Sequence, residues 1–265
     1  VRYAFLAYVV SWVAANVLLL LLSIFLPLHV GVEALVVDAM LLAALVPLRS
    51  SGRLAMPGDL GLRRVPAARS VGYALLAFAI VAVSDIYWSK IVPHNYKASA
   101  ANPFVAVSSQ SALNIALAAF AAAVSAPVVE EVFFRGLVYR SLRNRLPVLL
   151  AALVAGLMFG LVHAGAYPLV TLPSKAFFGI VMCLLYERTG SLLPGIAIHS
   201  FVNAGGFEIT LTKADGIVAT VFLLLATVLL ATPPVKGFWR LVKGRFTGLP
   251  VPRRPSSHEK ATVDA

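Results

Sequence analysis

Charge is what this chain has least of. Only 12% of its 265 residues are Asp, Glu, Lys or Arg, against about 25% in an ordinary soluble domain. So few charges cannot clothe a water-facing surface of this size, which excludes a conventional soluble fold. Cysteine is nearly absent as well. The one thiol, Cys183, stands in an apolar run, so an intramolecular disulfide and a thiolate metal cluster are both ruled out. There is no internal repeat, no low-complexity tract and no Gly-rich phosphate loop; Gly205-Gly206 is an isolated pair that signals close packing or a helix end. Acidic residues number 11 against 22 basic ones, for a formal charge of +11. That excess does not imply a nucleic-acid partner, because the basic residues lie in the gaps between apolar runs, as the positive-inside rule expects.

What is present is long hydrophobic sequence. The composition is 60% hydrophobic, and runs of roughly 20 apolar residues, enough to cross a bilayer, recur along the chain. Eight spans are expected: about 3–27, 29–48, 70–92, 110–139, 147–165, 172–187, 191–208 and 215–232. The first follows Arg2 and exceeds the roughly 7–15 residues of a signal-peptide core, so it reads as a retained helix. The loops alternate in charge. Arg49, Arg53, Arg63, Arg64 and Arg69, then Arg140, Arg143 and Arg145, then Arg188, all fall on one side if odd-numbered spans run outward. Both termini then fall on that side too, which predicts cytoplasmic ends. The expectation is an all-α, polytopic membrane bundle of about eight helices, in a bacterial inner (plasma) membrane. Residues 1–235 form one transmembrane domain, and the basic, Pro-containing tail 236–265 is expected to be disordered, cytoplasmic and drawn to anionic lipid headgroups.

Polar residues deep in such spans carry information. A charge at the centre of a membrane helix costs about 2.5–3.5 kcal/mol on insertion scales, so it persists when paired, solvated in a cavity or at work. In "VVEEVFFRGL", Glu131 and Arg135 stand at i and i+4 with the acid N-terminal, the better orientation for an ion pair. Glu130 faces about 100° away and has Phe134 at i+4, so it has no such partner and is suited to take and give a proton. His163 in "LMFGLVHAG" and His199 in "GIAIHSFVNAGG" are each the odd polar group of a span. A lone membrane histidine is commonly a packed core residue, but His199 shares a helical face with Asn203. That pair can present hydrogen-bond donors at one spot, as an oxyanion site requires. Glu130, His163, His199 and Asn203 could thus form a hydrolytic site. Glu130, His163 and His199 could equally bind a zinc ion, and spacing does not separate the two.

Three motifs sharpen this. "EEVFFRG" at 130–136, "FGLVH" at 159–163 and "HSFVN" at 199–203 resemble, in order, the Glu-Glu-x-x-x-Arg, Phe-x-x-x-His and His-x-x-x-Asn motifs of the CAAX prenyl protease and bacteriocin-processing (CPBP, or Abi) family, Ras-converting type. The resemblance covers roughly 110–210. It implies an intramembrane glutamate-dependent endopeptidase without a metal cofactor. In that family Glu130 would activate water with help from His163, and His199 with Asn203 would form the oxyanion hole. Glu131, Arg135 and Phe159 would support them. The substrate would be a membrane-associated protein or peptide. The rival readings are a proton-coupled transporter and a non-catalytic membrane partner using the same polar cluster. One expectation is awkward. Along straight helices Glu130 lies about 15 Å from Arg140 and His163 about 27 Å from Arg145, so they should differ in depth unless a helix tilts or breaks after Pro127.

Overall fold

A computed structural model describes residues 2–26, 29–50, 60–65, 67–91 and 111–208. About 86% of it is helical and no strand occurs among the described residues, so the chain is all-α. The helices are α1 (Arg2–Phe25), α2 (Val30–Ala43, continued by Leu45–Ser50), α3 (Ala67–Ile91), α4 (Ala112–Arg143), α5 (Val148–Val162), α6 (Leu172–Thr189) and α7 (Leu193–Glu208). Five stretches are long and apolar enough to cross a membrane: Arg2–Phe25, Val30–Leu48, Ser70–Trp88, Ala112–Arg143 and Leu169–Thr189. The expected count of about eight is not reached by that measure. Helices α5 and α7 are shorter, and the expected span 215–232 lies outside the described residues, as does the tail 236–265.

The surface of the described helices is oily rather than polar. Phe25 is 81% exposed and Leu149 73%, an arrangement that water disfavours and lipid tails do not. Inside, packing rests on small side chains, as is usual where lipid removes the hydrophobic drive between helices. Gly156 and Gly160 of α5 meet Gly179 and Ala176 of α6 backbone to backbone. A Cβ on Gly156 would lie 2.7 Å from the Ala176 carbonyl oxygen, and one on Gly179 would lie 2.8 Å from the Gly156 Cα. This close approach carries Phe159 and Phe178 into one buried aromatic group with Phe134. Tyr8 of α1 clamps the group from behind, with its ring against Phe134 and its hydroxyl donating to the Met158 carbonyl at 3.1 Å.

The basic loops collect at one end. Leu192 N–H donates to the Gly61 carbonyl, Arg63 Nε donates to the Gly190 carbonyl at 2.8 Å, and Arg143 Nε donates to Glu187 Oε1 at 3.1 Å. Gly190 closes α6 there at φ +65°, a left-handed conformation that glycine adopts without a Cβ clash. The segments 60–65, 140–146 and 187–192 therefore share one end of the bundle, as the alternation of charge requires.

Helix α4 does not break at Pro127. It widens instead, into π-helical turns at Ala121–Ser125 and Glu131–Tyr139 on either side of Glu130. Proline has no N–H to donate and its ring crowds the preceding turn, and a wider turn is one way to accommodate it.

Candidate active site

The widening upstream of Pro127 leaves a backbone debt that α7 settles. Ala126 N–H bonds back to the Ala121 carbonyl, five residues away. The Ala122 carbonyl thereby loses its ordinary donor, Ala126, and the next residue along is Pro127, which has none. A buried carbonyl without a partner is unfavourable. Asn203 Nδ2 donates to Ala122 O at 2.9 Å and fills the gap. One N–H of Asn203 is thus committed to structure, and the other makes no hydrogen bond among the described residues.

At the second π-helical stretch, the charges form a buried chain. Arg135 is 0% exposed and Glu131 1%. Arg135 Nη1 lies 2.9 Å from Glu131 Oε1, its Nη2 donates to the Gly179 carbonyl at 3.2 Å, and the guanidinium sits 4.7 Å above the Phe159 ring. The pair expected from i,i+4 spacing is therefore formed. His199 joins the same carboxylate oxygen, with Nδ1 at 3.1 Å from Glu131 Oε1. Gly195, one turn earlier on α7, makes room: a Cβ there would lie 2.9 Å from Glu131 Oε2. The other nitrogen, His199 Nε2, lies 3.6 Å from Glu130 Oε2. A neutral imidazole donates from only one nitrogen, whereas the protonated ring donates from both. Glu130 Oε2 is buried and makes no hydrogen bond among the described residues.

His163 sits apart from this chain. It ends α5, about 22 Å from Val148 at 1.5 Å per residue, so α5 stops short of a full bilayer crossing and leaves a turn over 163–168. Irregular backbone at such depth is tolerated where it lines a cavity. Its Nδ1 bonds the Phe159 carbonyl at 2.8 Å, so the proton is on Nδ1 and Nε2 keeps its lone pair. Among the described residues no hydrogen bond or ion pair joins His163 to Glu130. The Phe159 ring lies between the two histidines, 4.9 Å from His163 and 5.8 Å from His199 by ring centres.

A small cavity runs past the two histidines, with about 40 Å³ in which the centre of a water molecule can sit; Glu130 is not among the residues that line it. His163, His199 and Asn203 line it, together with Asp85 of α3 and Ser174 and Lys175 of α6. Tyr167 stands beside it, under the Lys175 ammonium and against the His163 ring. Glu130 feels the charge of Lys175 and also that of Asp38, a buried carboxylate of α2 that is 4% exposed and has one oxygen without a hydrogen bond among the described residues. Asp38, Asp85 and Lys175 were not singled out from the sequence. The signal that exposed Glu130, an odd charge inside an apolar span, is present at all three. As for zinc, Glu130, His163 and His199 do not form a ligand set: among the described residues no three His, Cys, Asp or Glu side chains are grouped as one ion would need.

Residues 112–205 match a protein family described as Type II CAAX prenyl endopeptidase Rce1-like. UPF0177 protein YaiH of Lactococcus lactis subsp. lactis (strain IL1403) is 34% identical over 84 residues, 31% of this chain and 33% of that protein. The chain thus spans about a third of the length of that curated relative. No solved structure matches. The resemblance read from the three motifs holds over the segment that contains them, and that match together with the apolar helices makes this an integral membrane protein.

Proposed function

From the likeness of residues 112–205 to CAAX prenyl endopeptidases, we propose that the chain is an intramembrane endopeptidase that hydrolyses a peptide bond of a membrane-associated protein or peptide. The observation that carries this reading is the placement of Glu130. Its Oε2 is buried and makes no hydrogen bond among the described residues, 3.6 Å from a histidine that the neighbouring Glu131–Arg135 pair already holds.

The chemistry uses the chain's own groups. Glu130 takes a proton from a water molecule as its oxygen attacks the scissile carbonyl carbon. His163 Nε2, left with a lone pair by the Nδ1 bond to Phe159, accepts the water's second hydrogen and fixes its direction. The tetrahedral oxyanion is met by donors on α7, His199 Nε2–H and the second N–H of Asn203. Glu131 holds the His199 ring by Nδ1, which orients Nε2 and compensates its charge when both nitrogens carry protons. Collapse of the intermediate breaks the C–N bond, and Glu130 returns its proton to the leaving amine. Arg135 and Phe159 position this set and do not touch the substrate. Neither a metal nor an organic cofactor has a part in these steps. By this reading the basic loops face the cytoplasm of a bacterial cell, and both chain ends are expected on that side.

The test compares wild type with Glu130→Gln, purified in detergent, on a library of membrane peptides read by mass spectrometry. Cleavage by wild type that disappears in the variant, with unfolding behaviour unchanged, supports the reading. Equal cleavage by both removes Glu130 from the reaction. Cleavage that stops on chelation and returns with zinc would contradict the metal-free steps.

A further inference from the structure

The hydrolytic steps leave one buried carboxylate without a task. Asp38 of α2 is 4% exposed, and its Oδ2 makes no hydrogen bond among the described residues. Nor does it form an ion pair among them. Its polar support is a side-chain hydrogen bond from Ser125 of α4. It lies outside the segment 112–205 that carries the family likeness. A charge kept inside an apolar bundle is expected to do work.

Packing brings Asp38 to the base. Helices α2 and α4 touch at Gly31, where a Cβ would lie 2.9 Å from the Leu117 carbonyl carbon and 3.0 Å from Ala118 Cα. Seven residues on along each helix, about 10.5 Å at 1.5 Å per residue, the same faces meet again as Asp38 and Ser125. One turn further, Leu41 and Val129 share a buried cluster. The contacts advance together, so the two helices run parallel. Glu130 follows Val129 and stands on the flank of this contact, about 7.5 Å beyond Ser125 along the axis. Asp38 and Glu131 repel it, while Arg135 and Lys175 attract it. Glu131 is already neutralised by Arg135 at 2.9 Å and held by His199. Asp38 is the repulsion that no ion pair offsets among the described residues.

We infer that Asp38 is a positioning residue for the base: its buried charge, held by Ser125, strains the Glu130 carboxylate, and the strain is released as Glu130 takes a proton from the attacking water. This rests on the endopeptidase reading and adds a residue from outside the matched segment. The water O–H bond breaks, its oxygen bonds to the carbonyl carbon, and the negative charge passes from Glu130 to the former carbonyl oxygen. His199 and Asn203 of α7 meet it there, in a cavity to which α2 contributes no described residue. Repulsion is present before the transfer and weaker after it, which favours the transition state over the resting enzyme. Ser125 assigns the roles. Its bond favours the charged form of Asp38, whereas Glu130 Oε2 has no donor among the described residues, so Glu130 is the one that takes the proton.

Two measurements on the full chain in detergent test this. In unfolding, D38N should stabilise wild type and should stabilise the Glu130→Gln variant less, because the repulsion needs both charges; a double-mutant cycle reads the difference. In cleavage of a membrane peptide, D38N should lower kcat by about tenfold or more with KM little changed, since Asp38 meets no substrate. D38E keeps the charge and should retain more of kcat than D38N. S125A should lower kcat by a smaller factor than D38N. A gain in stability with a loss of turnover is not what a structural role would give, since that would lose both. Additive stabilities, or wild-type kcat in D38N, overturn the role of Asp38 and leave the endopeptidase reading intact. Coupled stabilities with no cleavage of any library peptide by wild type sink the endopeptidase reading and this role with it, and leave only the charge contact. If D38N does not fold, the kcat ratios of S125A and D38E to wild type decide.

Discussion

Replacing Arg135 with methionine tests whether the buried charges are held as a unit. The side chain is fully enclosed and makes three contacts at once: Glu131 at 2.9 Å, the Gly179 carbonyl at 3.2 Å and the Phe159 ring at 4.7 Å. Methionine preserves much of the apolar stem but leaves Glu131, 1% exposed, with His199 as its remaining polar partner. Removing one member of a buried pair costs about 3–5 kcal/mol, because the other charge stays buried. Glu131→Gln alone should also destabilise, since it weakens the hold on both Arg135 and His199. The double variant R135M/E131Q removes both charges, so it should be less destabilised than the sum of the singles, with a coupling of about 2 kcal/mol or more. Unfolding in mixed micelles, followed by far-UV circular dichroism, gives all three values. A loss for R135M of under about 0.5 kcal/mol, the size of an ordinary surface substitution, would refute the argument. So would additivity within error.

Three further outcomes follow from the same geometry. Gly195→Ala puts a Cβ 2.9 Å from Glu131 Oε2; it should cost about 1–3 kcal/mol of stability, as overpacking does, and depress any cleavage activity, and an unchanged protein would mean α7 shifts freely. Asn203→Ala leaves the Ala122 carbonyl without a donor, so a loss of about 1–3 kcal/mol is expected in the same unfolding assay, in a Pro127→Ala background a smaller one because the residue after Ala126 can then donate. Asp38→Asn removes a charge whose Oδ2 has no hydrogen-bond partner among the described residues; it should raise stability by about 1 kcal/mol, as relief of a functional strain often does, and a drop would show that the charge is compensated.

The membrane was determined by composition alone. Few charges and recurrent apolar runs have no other stable solution, because backbone amides in lipid must be satisfied within each helix. The i,i+4 pair of Glu131 and Arg135 was equally legible, since helix geometry places the two side chains together before any tertiary contact forms. The same holds for the collection of basic loops at one end, which charge alternation requires. The order of the three motifs announced the family resemblance.

Only the packing of helices decided the rest. His199 and Glu131 are 68 residues apart, and their contact depends on Gly195 letting α7 come close. Asn203 was legible as a donor, but its partner, the Ala122 carbonyl, exists as an orphan only because α4 widens ahead of Pro127 and α7 lies against that turn. Asp38, Asp85 and Lys175 lie on α2, α3 and α6; each looks like a stray charge in its own span, and becomes part of one electrostatic site only when those helices converge. A single span shows that a charge is buried. What the charge faces depends on the angles and depths at which several helices meet, and that information is not local to any of them.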